Sequence, residues 1–116
     1  MGFVVGARGQ IYKTEDQGLT WIELESTSNG DLYSVFFVNE ENGYAVGGVY
    51  AQSAIVLKTT DGGTTWNNVA PDIWMNMYEV HFLNESKGYA VGDAGYIITT
   101  EDGGEHWSYG YYPSCV

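Results

Sequence analysis

An eight-residue pattern, Thr-x-Asp-x-Gly-x-x-Trp, occurs three times in 116 residues: at 14–21 (TEDQGLTW), 59–66 (TTDGGTTW) and 100–107 (TEDGGEHW). No other feature restricts the fold as much, because a motif repeated at near-constant spacing demands a structural unit repeated as often. Within each copy the residue types suit a tight hairpin. Gly18, Gly63 and Gly104 can take the positive φ that such a turn needs, and the carboxylates of Asp16, Asp61 and Asp102 can cap backbone N–H groups of their own turns. Trp21, Trp66 and Trp107 then open the outgoing strand as large packing groups. Thr14, Thr59 and Thr100 complete the set of structural positions.

A second landmark fixes the register. Phe3-Val4-Val5-Gly6, Tyr44-Ala45-Val46-Gly47 and Tyr89-Ala90-Val91-Gly92 each precede one copy of the pattern, so the repeat length is 41 or 45 residues. That is close to the length of a four-stranded propeller blade. In the middle unit, strands are predicted at 32–38, 44–47, 54–60 and 65–70, with the repeated turn as the last hairpin. The next unit predicts strands at 77–83, 88–92, 96–100 and 106–111. Residues 3–25 supply only a second, third and fourth strand. The sequence therefore predicts an all-β chain, a single partial β-propeller over 1–116 with part of a blade at 3–25 and blades at 31–70 and 77–112. It amounts to about 2.75 blades and about eleven strands. A propeller closes with roughly four to eight blades, so this run is not closed as a monomer and leaves flanking faces open. Val4, Ile11, Ile97 and Ile98 are expected on those flanks. Three outcomes fit: the remainder of a longer propeller, a homo-oligomer such as a dimer completing a ring, or docking on a partner protein.

Composition removes several function classes. Four Lys plus Arg stand against fifteen Asp plus Glu, a formal charge of −11, which repels phosphate backbones and anionic lipid surfaces. Nucleic acid is excluded as a partner on this ground. No stretch reaches the roughly 18 apolar residues that membrane insertion by a helix requires, and the N-terminus has no basic region ahead of its short apolar run. The single cysteine, Cys115, allows neither an intrachain disulfide nor a multi-cysteine metal site. His81 and His106 lie on different predicted strands and make no metal site between them. No metal and no cofactor is expected.

The eight-residue pattern resembles the Asp-box, or BNR repeat, of β-propellers that include sialidases, sortilin-like receptors and some glycan hydrolases. The combination of Gly43-Tyr44-Ala45-Val46-Gly47 and Gly88-Tyr89-Ala90-Val91-Gly92 with Asp61-Gly62-Gly63 and Asp102-Gly103-Gly104 is more specific. Together with a Gly-x-Ile-x-x-Thr third strand, it is similar to the bacterial and plastid family of photosystem II stability and assembly factors. That resemblance implies a propeller that binds protein rather than an enzyme, in an extracellular, periplasmic or surface-associated setting. Sialidases grip a carboxylated sugar with three arginines, whereas this chain has only Arg8, so no such clamp can be built. Equivalent turns of successive blades stand too far apart for Asp16, Asp61 and Asp102 to form the carboxylate pair of a glycosidase. They are read as structural.

Asymmetry between the repeats marks one face. Alternation of antiparallel strands puts the second-to-third and fourth-to-first connections together, opposite the Asp-box turns. On that face the middle unit carries an insertion within 48–53 (GVYAQS), and the connector 70–76 (APDIWMN) places Trp74 and Met75 outside any strand. Tyr50, Asp72, Trp74 and Met75 are the candidate protein-contact residues. The leading expectation is a non-enzymatic propeller module for protein binding or assembly scaffolding. Two alternatives stand beside it: a non-catalytic portion of a glycan-binding or glycan-hydrolysing Asp-box protein, and a self-assembling structural repeat.

Overall fold

The computed structural model describes residues 2–26, 28, 30–48, 54–71 and 73–111. Eleven strands form three antiparallel sheets among them. The first sheet has three strands, β1 (Gly2–Val5), β2 (Ile11–Thr14) and β3 (Ile22–Leu24), in that order. The second contains β4 (Asp31–Phe37), β5 (Gly43–Gly48), β6 (Ala54–Thr59) and β7 (Asn67–Asn68). The third contains β8 (Met77–Phe82), β9 (Gly88–Gly92), β10 (Tyr96–Thr100) and β11 (Ser108–Tyr111). Each sheet is a simple meander in which sequence neighbours pair. This is a partial propeller of about 2.75 blades, as the repeat predicts.

The core lies between the blades. Ile11, Leu32, Ala45, Ile55, Leu57 and Trp66 fill the space between the first and second sheets, with Phe3, Leu24 and Phe37 packed against them. Tyr44, Val46, Val56, Met77, Val80, Phe82, Ala90 and Ile98 do the same between the second and third. The middle blade is thus covered on both faces. Every residue of β5 is buried, which is why Gly-Tyr-Ala-Val-Gly-Gly shows no polar alternation. Two stacked ring pairs, Phe3 on Phe37 at 3.9 Å and Tyr44 on Phe82 at 3.8 Å, mark equivalent points of the two interfaces.

Two expectations change. Of the four residues assigned to open flanks, Val4 is exposed, but Ile11 and Ile98 are fully buried and Ile97 is partly covered. Successive side chains of a strand point to opposite faces, and Ile11 and Ile98 take the face turned toward a neighbouring blade. The open flanks carry other apolar groups: Trp21 on the first sheet, Leu83 and Tyr89 on the third. The fourth strand of the middle blade is also shorter than predicted, two residues in place of 65–70. There the chain leaves the sheet early, as the Val69 N–H still reaches the Val56 carbonyl at 2.7 Å while Ala70 turns onto the Asn68 side chain.

Candidate functional site

The Asp-box residues hold their own turns. In the middle copy the Thr59 hydroxyl donates to Asp61 Oδ1 at 2.8 Å and accepts the Gly63 N–H at 2.9 Å. Asp61 Oδ1 also accepts the Thr65 N–H, and Oδ2 the Thr65 hydroxyl at 2.6 Å. Asp16 and Asp102 repeat this geometry, with His106 Nδ1 taking the place of the threonine hydroxyl at 2.7 Å from Asp102 Oδ2. Hydrogen bonding to the charged form lowers all three carboxyls to about 2, through the Thr20 side chain for Asp16, the Thr65 side chain for Asp61 and the His106 N–H for Asp102. Gly18, Gly63 and Gly104 all have φ between 90° and 98°. With their acceptor positions occupied inside the turn, the aspartates have little left for a ligand.

The turns also lock one blade to the next. Gly103 carbonyl oxygen accepts the Tyr44 hydroxyl at 2.8 Å and Lys58 Nζ at 2.6 Å, both from the preceding blade. Burial, then the charges of Glu105 and Glu85, push the Tyr44 hydroxyl up to about 12, so it stays a donor across the accessible pH range.

The opposite face collects different groups. In the connector before β8, Ile73 is buried in the core between the second and third blades and its carbonyl accepts the Ala54 N–H at 2.8 Å. Trp74, next in sequence, is 73% exposed. Met75 turns back and packs against the same core cluster. The connector is therefore both a cap and a display of one aromatic ring. Tyr50 and Asp72 lie outside the described residues.

The same face carries groups that the sequence reading passed over. Tyr33 and Tyr78, each the residue at the register irregularity of an innermost strand, are exposed, with ring centroids 5.3 Å apart. Asp93, in the 3-10 turn Asp93–Gly95, fixes this corner: Oδ2 accepts the Asn76 N–H at 2.8 Å and Oδ1 the Tyr78 hydroxyl at 2.5 Å. The bond to the carboxylate raises the Tyr78 pKa. On the equivalent turn of the first sheet, the Arg8 N–H meets Asp31 Oδ1 at 3.1 Å. A signal was available, since Tyr33 and Tyr78 occupy the same place in successive repeats. This aromatic and acidic face offers ring surface and hydrogen-bond acceptors.

Comparison with known proteins agrees with this architecture. Residues 1–75 match the family described as Photosynthesis system II assembly factor YCF48. The chain belongs to this family. A solved structure of YCF48 bound to a D1 peptide superimposes with a TM-score of 0.75 at 27% sequence identity, over 93% of the present chain. The match covers 35% of that protein, so the chain spans about a third of its length. No curated protein matches the chain.

Proposed function

We propose that this chain is a non-enzymatic propeller module that binds a protein segment on the face formed by Trp74, Tyr33, Tyr78 and Asp93. One observation carries the reading: Trp74 is 73% exposed between a buried Ile73 and a Met75 that packs on the core, on the same loop face as the exposed Tyr33–Tyr78 pair. An aromatic ring fixed in place loses little conformational entropy on binding, which is why such rings act as anchors. Membership of an assembly-factor family supports a protein partner, as does the relative's complex with a D1 peptide. The acidic surroundings favour a segment in which basic side chains stand beside apolar ones.

The test is titration of a fluorescent D1 peptide into the chain, read by anisotropy. Trp74→Ser is expected to weaken binding about tenfold or more, as loss of an aromatic anchor does, without lowering the melting temperature. Met75 is left intact because it packs in the core. Unchanged affinity in the Trp74 variant would overturn the assignment of this face.

A further inference from the structure

Lysines of this chain sit over aromatic rings in two places. Lys13 Nζ lies 5.7 Å from the Phe3 ring centroid, and Lys58 Nζ lies 5.8 Å from that of Tyr44. In the second case an oxygen completes the seat, because Lys58 Nζ also donates to the Gly103 carbonyl at 2.6 Å. A ring face with a hydrogen-bond acceptor beside it holds a cation by two attractions at once. Both seats belong to the side of the blades that carries the Asp-box turns.

The opposite face holds the same two components without the cation. Tyr33 of β4 and Tyr78 of β8 stand with ring centroids 5.3 Å apart and planes tilted by 44°. They are 46% and 43% exposed, so the pair presents ring surface to solvent. Asp93 is the acceptor. Its Oδ1 takes the Tyr78 hydroxyl and its Oδ2 the Asn76 N–H, which fixes the carboxylate at the edge of the ring pair. A carboxylate can accept about four hydrogen bonds, so these two leave it able to take more. Both tyrosines and the aspartate come from the two complete blades, and the Val80 N–H on the Ser34 hydroxyl at 3.4 Å closes the seam in the residues that follow.

Among the described residues no cation of the chain stands over Tyr33 or Tyr78. Lys58 is engaged at Gly103, Lys13 pairs with Glu15 at 3.5 Å and Lys87 with Glu101 at 4.0 Å, all on the Asp-box side. Asp31 stands two residues before Tyr33 and the exposed Glu79 follows Tyr78, in a chain of net charge −11. An incoming cation therefore meets attraction from every side of the pair.

We propose that Tyr33, Tyr78 and Asp93 form a seat for one arginine side chain of the bound segment, its guanidinium lying on the ring surface and donating to Asp93. Centroids 5.3 Å apart leave no room for a group between the rings, so the cation lies across them from the solvent side. A planar guanidinium suits that pose better than an ammonium, since it can stack on a ring while its N–H fork points at a carboxylate. The seat rests on the reading of this loop face as the binding surface, and adds the residue type that the face selects.

The probe is N-acetyl-arginine amide, followed by NMR at the tyrosine ring protons. Saturable shifts are expected at Tyr33 and Tyr78, and none at Tyr109, an exposed ring on the outermost strand. The citrulline analogue, alike in shape but uncharged, is expected to bind about tenfold more weakly, and N-acetyl-lysine amide about threefold more weakly. Tyr33→Leu should weaken the arginine probe about threefold or more, and Asp93→Asn about fivefold or more. Both variants keep the parent's melting temperature, because leucine replaces an exposed ring and asparagine still offers an oxygen to the Asn76 N–H. Equal affinity for citrulline or lysine, full affinity in either variant, or ring signals that do not move would each overturn the seat. If Trp74→Ser weakens D1-peptide binding while the arginine amide leaves both rings unmoved, the seat fails and the loop face stands. Saturable binding at the rings, with the Trp74 variant unaffected, keeps the seat and removes Trp74 as the anchor.

Discussion

Thr59 is 1% exposed, and its hydroxyl serves both as donor to Asp61 and as acceptor for the Gly63 N–H. Valine has the same shape without either bond, so Thr59→Val leaves a buried N–H unsatisfied and is expected to cost about 1–3 kcal/mol, read as a shift in the urea midpoint. Asp61 depends on the same network but titrates. Its folded pKa is about 2 against an ordinary 3.8, and Asp16 and Asp102 match it. A group depressed on folding contributes fully above its unfolded pKa, and that contribution is lost as pH falls through the folded value. Stability should therefore fall between about pH 4 and pH 2. Asp61→Asn should melt lower at pH 7 and show a shallower fall across that window, because one of three titrating groups is gone. A stable variant that had instead lost peptide binding would make Asp61 a ligand rather than a clasp.

At the scale of the strand, the glycines of the second strand in each blade set how closely the innermost strand approaches. Gly47 offers the sharpest test, since a Cβ there would overlap the Asp31 carbonyl oxygen, a backbone atom with no means of stepping aside. Gly47→Ala is expected to cost about 3 kcal/mol or more, the upper range for overpacking a core, and to abolish cooperative melting if the strand cannot shift. Gly6→Ala, at the matching place, is expected to leave the melt unchanged, because its methyl would make only an ordinary contact with the Gln10 side chain at 3.7 Å. Circular dichroism melts of the two variants side by side separate a space-driven glycine from a merely flexible one. The same contrast explains why tryptophans with one role in the repeat differ in burial: Trp66 has a preceding blade to pack against and Trp21 does not.

For the molecule as a whole, the two ends of the blade stack expose complementary halves of an interface that the chain builds twice internally. Val4 and Trp21 are exposed at one end, Leu83 and Tyr89 at the other. Tyr89 is the repeat counterpart of Tyr44, whose ring is stacked by Phe82. Head-to-tail association of the 116-residue chain is therefore the expected outcome at micromolar concentration, and light scattering should give a mass above that of one chain. Trp21→Ser with Val4→Thr should return it to a single chain. A parent that scatters as one chain throughout that range would refute association through these ends. Gln17 stands in the first box where Gly62 and Gly103 stand in the others, so the first turn presents an exposed side chain that the other two lack.

The sequence by itself determined the number of sheets, the order of strands within them and the chemistry of the three turns. All of these rest on interactions within a few residues, where Thr, Asp and Gly satisfy one another whatever lies beyond. It also marked the connector 70–76 as different from its repeat counterparts. Only the tertiary structure decided which face of each strand is covered, because a period of two separates the faces without saying which one meets a neighbouring blade. That is how Ile11 and Ile98 came to be buried while Trp21 and Tyr89 stayed open. The split within the connector, Ile73 and Met75 inward and Trp74 outward, was likewise settled by the gap left between two packed blades.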